Sequence, residues 1–313
     1  MIKITTLPAI AAALLAFGLA AAPAQAGPNR TFVSGTGSDS GACTRAAPCR
    51  TFAFAITVTN AGGEIDVLDP AGYGPVTINH AISIVNDGVG VAGITAGSGN
   101  AITINAGAFD SVNLRGLTIA GIGFASFGIL FNSGGNLAIE NCVIRNFPST
   151  GIEISPSAFS SFSVSNTIVS NNGGSGINIQ PTGTGGAEGV LSKVTANNNN
   201  SLGIYVNGAS TTGASLKVTI VDSEASNNFS GVMAATSSGH AAIAVMLRNI
   251  IASYNSFIGL DVGQYVVLRI AHSVVTGNNI GVNGPGILNS YGDNDIDGNT
   301  NNNTGILTVI PTH

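Results

Sequence analysis

The chain has 313 residues, of which 43 are glycine and only 8% are charged, with 10 Lys and Arg against 15 Asp and Glu. A net charge of −5 without clustered bases argues against a nucleic-acid binder, which must replace phosphate counterions with dense positive charge. The same deficit opposes a polyanionic sugar unless a cation bridges it, and regular apolar spacing argues against the disorder that low charge and few aromatics would otherwise allow.

Residues 1–26 read as a secretion signal. Lys3 supplies the positive start, residues 9–22 are apolar, and Ala24-Gln25-Ala26 offers a small-x-small cleavage site. The apolar run falls short of the roughly 20 residues that span a bilayer. Export would place the mature chain in the periplasm, at the cell surface or outside the cell. Cys43 and Cys49 enclose only five residues, and in an exported chain that proximity predicts a disulfide. Residues 50–60 predict a short helix with Phe52, Ala55, Ile56 and Thr59 on one face. Asn60 to Gly63 ends it, and Glu64 to Leu68 begins the first strand. Residues 27–63 are thus expected to form an N-terminal cap.

From there to the end, 64–313, the chain repeats. A glycine followed by an apolar-x-apolar triplet returns at intervals of 22 to 28 residues, as in Gly151-Ile152-Glu153-Ile154, Gly176-Ile177-Asn178-Ile179 and Gly203-Ile204-Tyr205-Val206. The series runs from Gly128 to Gly305, and a period of this size predicts a stacked solenoid. In residues 137–154, Leu137 and Ile139 alternate as in a strand, Asn141 interrupts, and Cys142 and Ile144 resume the inward alternation. Gly151 then opens a third strand. The interrupting position holds Gly116, Asn141, Asn166, Lys193, Asp222, Asn249 and His272, mostly residues that tolerate a left-handed backbone. A second column, Asn146, Asn171, Asn198, Asn227 and Asn255, with Asn278 slightly out of step, predicts an amide ladder between coils. Cys142 reads as a small buried apolar residue. About eight to nine three-strand coils are expected.

These features, with FVSGTGSDSGACTRAAPCRTFAFAI near the start and SYGDNDIDGN near the end, resemble the right-handed parallel β-helix family of pectin-lyase-like, exported bacterial proteins. The resemblance covers nearly the whole mature sequence and implies an all-β fold. It implies no single activity, because the scaffold carries lyases, hydrolases, epimerases, adhesins and inert stalks.

Family enzymes place their groove on the outer face of the strand after the glycine. Here that column reads Leu130, Glu153, Asn178, Tyr205, Met233, Asp261 and Asn283. A glycosidase needs two carboxyls roughly 5–10 Å apart, whereas Glu153 and Asp261 are four coils apart, about 19 Å at strand spacing. The polygalacturonase-like, epimerase-like and pectate-lyase-like motifs are missing. Glu153, Asn178, Gln180, Tyr205, Asp261 and Asn283 remain as a candidate ligand-binding groove without a catalytic residue. Arg115 and Glu140, equivalent on adjacent coils, predict a surface ion pair. Asp293, Asp295 and Asp297 match the start of a calcium loop, but its twelfth position is Thr304 where a bidentate Glu belongs. Calcium is the one cofactor suggested. The reading is an exported, non-catalytic interaction module that touches polysaccharide. A lyase or hydrolase with a divergent site, and a structural rod or adhesin, are the alternatives.

Overall fold

The computed structural model describes residues 27–213 and 215–311; the proposed signal segment lies outside the described residues. The coil read above is built as three strands, Asn136–Glu140, Val143–Arg145 and Ile152–Ile154. Each pairs in parallel, in register, with its counterpart one coil away: Leu137 with Val112 and Phe162, Ile144 with Ile119 and Val169, Glu153 with Leu130 and Asn178. Repetition gives three parallel sheets of 14, 5 and 10 strands, named A, B and C in the order in which a coil visits them. The result is an all-β solenoid of about nine turns.

Inward side chains form one continuous core. The sheet-B pairs are apolar or small: Cys142 with Ile144, Val194 with Ala196, Ser223 with Ala225, and each is buried. The corner between sheets A and B is the interrupting column, and all seven residues have positive φ, from 47° at Asn166 to 72° at Gly116. Lys193 (54°) and His272 (49°) adopt it as well, so stacking imposes the corner on residues that do not favour it. Just past the corner, inward hydroxyls complete the polar pairing. Ser223 Oγ donates to the Val221 carbonyl at 2.7 Å and accepts the Val194 N–H at 3.1 Å.

The turn from sheet B to sheet C holds two asparagine columns rather than one. Asn146, Asn171, Asn198 and Asn227 have positive φ, and Tyr254 and Gly277 continue that column. The amide ladder is the next residue along: Asn172, Asn199, Asn228, Asn255, Asn278 and Asn299. Asn255 and Asn278 are therefore in step with each other. From Asn199 onward each Oδ1 accepts both the main-chain N–H and the Nδ2 of the residue one coil below; Asn255 Oδ1 takes Asn228 N at 3.0 Å and Nδ2 at 3.3 Å. Nδ2 also donates to a sheet-B carbonyl, as Asn228 does to Ala196 at 2.9 Å. The repeat glycines face this ladder. A Cβ on Gly203 would lie 2.8 Å from Asn228 Nδ2 and 2.9 Å from the Ala225 Cβ. Phe147 occupies the ladder position where the series begins, and its ring stands beside Gly128.

The N-terminal end departs from the expectation in one respect. Arg30–Val33, inside the stretch read as cap, is a strand that pairs with Gly63–Val67 and forms the first rung of sheet A. The Cys43–Cys49 disulfide is formed. Its loop covers the outer edge of that strand, with Phe32 N donating to the Cys43 carbonyl at 2.8 Å and Cys49 N to the Phe32 carbonyl at 2.9 Å. Covering that edge hides backbone groups that would otherwise recruit another strand. Helix α1 (Phe52–Val58) buries Phe52, Ala55 and Ile56 over the open end of the core. Phe52 meets Tyr73 at 5.0 Å between ring centroids.

Two further expectations are corrected. Gly305-Ile306-Leu307 is not a sheet-C repeat. Leu307 pairs with Leu288 in sheet A, and the last sheet-C rung is Asn301–Asn303, opposite Ile280 and Val282. Arg115 and Glu140 are register partners, but the Arg115 ion pair is with Asp87 at 2.6 Å. The loop that follows Val85, the other register partner of Arg115, carries Asp87 to the guanidinium.

The two asparagine columns make separable predictions. Asn228→Ala strands the buried amide groups above and below it and should lower stability by about 2–4 kcal/mol in urea denaturation. Asn227→Gly keeps the left-handed φ and should change stability by no more than about 0.5 kcal/mol.

Candidate functional site

The outward column of sheet C is continuous. Thr77, Thr103, Leu130, Glu153, Asn178, Tyr205, Met233, Asp261 and Asn283 pair one to the next along nine strands. The x of each triplet points outward because its two apolar neighbours point inward. Ile152 and Ile154, Ile177 and Ile179, and Ile204 and Val206 are all buried.

Glu153 and Asn178 do not stand open to solvent as an exposed groove would have them; they are 8% and 9% exposed. Asn178 Nδ2 donates to Glu153 Oε1 at 2.9 Å and Oε2 at 3.1 Å, and to Gln180 Oε1 at 3.0 Å. Gln180 Nε2 passes the row on to Ser210 Oγ at 2.6 Å. Four polar side chains from three coils thus form one hydrogen-bonded row. Asn178 Oδ1 is buried and has no hydrogen-bond partner. Burial pushes the Glu153 carboxyl up from 4.5 to about 7, against the opposing hydrogen bonds from Asn178 and Thr150. No charged group contributes to that shift, so it is a desolvation effect.

A second, shorter row lies further along. Asn283 Nδ2 donates to Asp261 Oδ1 at 3.0 Å, and Thr304 Oγ1 donates to Asn283 Oδ1 at 2.7 Å. Burial raises the Asp261 carboxyl as well. Tyr205 sits half-buried between the rows, its hydroxyl raised first by burial and then by the Asp261 charge. Glu153 and Asp261 remain four rungs apart, about 19 Å, and the rungs beside Glu153 carry Leu130 and Asn178. The column therefore brings Glu153, Asn178 and Gln180 together and leaves Asp261 and Asn283 as a separate pair.

The three aspartates near the C-terminus are not gathered. Asp293 accepts from the His272 main-chain N–H and from its Nδ1, both at 3.0 Å. Asp297 accepts from Gly298 N and Asn302 Nδ2, while Asp295 lies in a strand opposite Val274. Asp295–Ile296 is a short strand with Ile296 packed on the core, and no group of three His, Cys, Asp or Glu among the described residues is placed to hold a metal.

Sequence reasoning missed two features. Ser210 completes the row from a loop 30 residues beyond Gln180; the stacking of those loops, through the Gly183–Thr211 bridge, is what brings it there. Phe229 and Phe257 stack at 5.2 Å on adjacent coils and are partly exposed at the entry to sheet C. Their 28-residue spacing was the available signal. Concave cavities lie off this face. One of about 280 Å³ is lined by Arg30, Arg45, Asp66 and Asp87, and one of about 320 Å³ by Lys193, Asp222, Glu224 and Asn249.

The sequence matches the family described as right handed beta helix region over residues 76–217 and 127–304, so the chain belongs to that family. Among solved structures, pectate lyase Pel9A is similar over 90% of this chain and 77% of that one, with a TM-score of 0.58 and 15% identity. A rhamnogalacturonan lyase (TM-score 0.41, 12% identity, 80% and 75% covered) and the A-module of the Azotobacter vinelandii mannuronan C-5 epimerase AlgE6 (0.38, 12%, 80% and 92%) are more distant. At these identities the likeness is one of fold. None of the curated proteins compared matches the sequence.

The raised Glu153 carboxyl has a consequence for stability. Between about pH 4.5 and pH 7 the folded protein holds a proton that the unfolded chain has released, so this group makes stability fall as pH rises through that window. Glu153→Gln removes the titration while keeping the shape. The variant should gain about 3 kcal/mol over the wild type at pH 8, with the difference vanishing near pH 4, when unfolding is followed against pH.

Proposed function

We propose that this is an exported β-helix protein that holds a polysaccharide side-on along the outer face of sheet C without cleaving it. The observation that carries this reading is the Glu153–Asn178–Gln180–Ser210 row, followed on the next rung by Tyr205 and, past Met233, by the Asp261–Asn283 pair. An extended, open face with a polar group on most rungs suits a chain laid across it, whereas small ligands are usually held in enclosed pockets. Amides and hydroxyls meet sugar hydroxyls, and the Tyr205 ring offers an apolar surface for a sugar face. The disulfide fits an oxidising compartment, and export through the segment 1–26 agrees with it.

One observation favours catalysis. A carboxyl raised to about 7 is tuned for proton transfer near neutral pH. Against it stands the missing partner, since a glycosidase requires a second carboxyl within roughly 5–10 Å and the adjacent rungs have none.

The deciding experiment incubates the protein with a panel of plant and bacterial polysaccharides and measures retention and product release together. Retention without new reducing ends or unsaturated sugars is expected, weakened about tenfold in Tyr205→Ala. Product release that Glu153→Gln abolishes would establish the catalytic reading instead, and the absence of retention on every glycan would leave a structural rod.

A further inference from the structure

Charge is segregated around the solenoid. Past the corner at Gly116 the basic side chains are Arg145, Lys193, Lys217, Arg248 and Arg269. Arg145 lies on sheet B, Lys193 on the A–B corner, and the other three on sheet A. The remaining described arginines are Arg30 on the first sheet-A strand, Arg45 and Arg50 in the loop and helix start that follow it, and Arg115 at the end of a sheet-A strand. Among the described residues, then, no Lys or Arg stands on sheet C or on the loops that enter and leave it. The loop after Ala235 carries His240, held by Ser237 Oγ at 3.0 Å. The face itself carries acids, Glu153 and Asp261.

The hydrogen-bonding capacity of the face is similarly one-sided. Both N–H groups of Asn178 are used within the row, whereas its buried Oδ1 is left without a donor. A carboxylate can only accept hydrogen bonds, so it cannot pair with an ionised carboxylate on this face, whereas a hydroxyl can donate to one. A polyuronate laid on this face would bring its own charges towards Asp261, and towards Glu153 once its carboxyl ionises, with no Lys or Arg on the sheet to offset them, and like-charge contact of this kind weakens association. A polycation is not the better match. The two acids are four rungs apart, and Glu153 is mostly buried and already bonded to Asn178.

We infer that the outer face of sheet C selects an uncharged, hydroxyl-rich glycan and rejects polyuronates. This rests on the binding function proposed above and adds the substrate class. It also separates recognition from bridging cations, because a neutral chain needs none.

The test pairs each polysaccharide of the panel with a partner altered only in charge: neutral glycans with their C6-oxidised forms, uronans with their C6-reduced forms, and a β-1,4-glucan with chitosan. Retention in EDTA is expected for the neutral member of a pair, with the uronate member held about tenfold or more weakly. Met233→Lys, which adds a cation between Tyr205 and Asp261, should narrow that gap, with thermal unfolding confirming an intact fold. Equal or stronger retention of a uronan or of chitosan, or an unchanged gap in Met233→Lys, would overturn the inference while leaving polysaccharide binding standing. Retention of no member of any pair would remove the binding function itself, and the inference with it.

Discussion

The buried asparagine ladder is the constraint on which the rest of this solenoid depends. Between sheet B and sheet C the chain turns against a buried core, and buried main-chain N–H groups there need acceptors. Asn172, Asn199, Asn228, Asn255 and Asn278 supply them coil after coil, each Oδ1 from Asn199 onward taking two donors from the coil below. The side of the turn facing the ladder has no room for a Cβ, which is why glycine recurs at Gly176, Gly203, Gly231 and Gly259. None of these glycines is required by positive φ. Ladder and glycine are one device, and together they set where each sheet-C strand begins.

That starting point determines which side chain faces outward. With the strand aligned from one coil to the next, the middle residue of every triplet falls on one straight column. Glu153, Asn178 and Tyr205 become neighbours although they are about 25 residues apart in the chain. The same regularity spaces Glu153 and Asp261 beyond reach of each other. A scaffold that repeats about every 4.8 Å favours extended ligands with repeating contacts, and it brings two catalytic groups together only when adjacent coils or a single loop supply both.

Periodicity made much of this legible. Alternation located the inward residues of sheets A, B and C, and residue preference located the A–B corner, where even Lys193 and His272 follow the column. Legibility failed where side chains of one type serve two roles. Runs such as Asn197 to Asn200 hide which asparagine turns the backbone and which bonds to its neighbours, because both tasks suit the same amide. Gly305-Ile306-Leu307 mimics a repeat, but the preceding Asn301–Asn303 already completes sheet C. The Arg115 ion pair was misassigned because a loop, not a strand, brings its partner Asp87.

Sequence alone therefore determined the repeat, the inward and outward faces, the corner column, the disulfide and the composition of the outer column. These follow from local backbone preference and from the two-residue period of a strand. Only the tertiary structure decided that Glu153 is buried with its carboxyl raised to about 7, that Asn178 links it to Gln180 and Ser210, and that the bases lie on other faces. Desolvation and hydrogen bonding depend on what stacks above and below a residue, and the neighbours of each residue on this face come from the preceding and following coils.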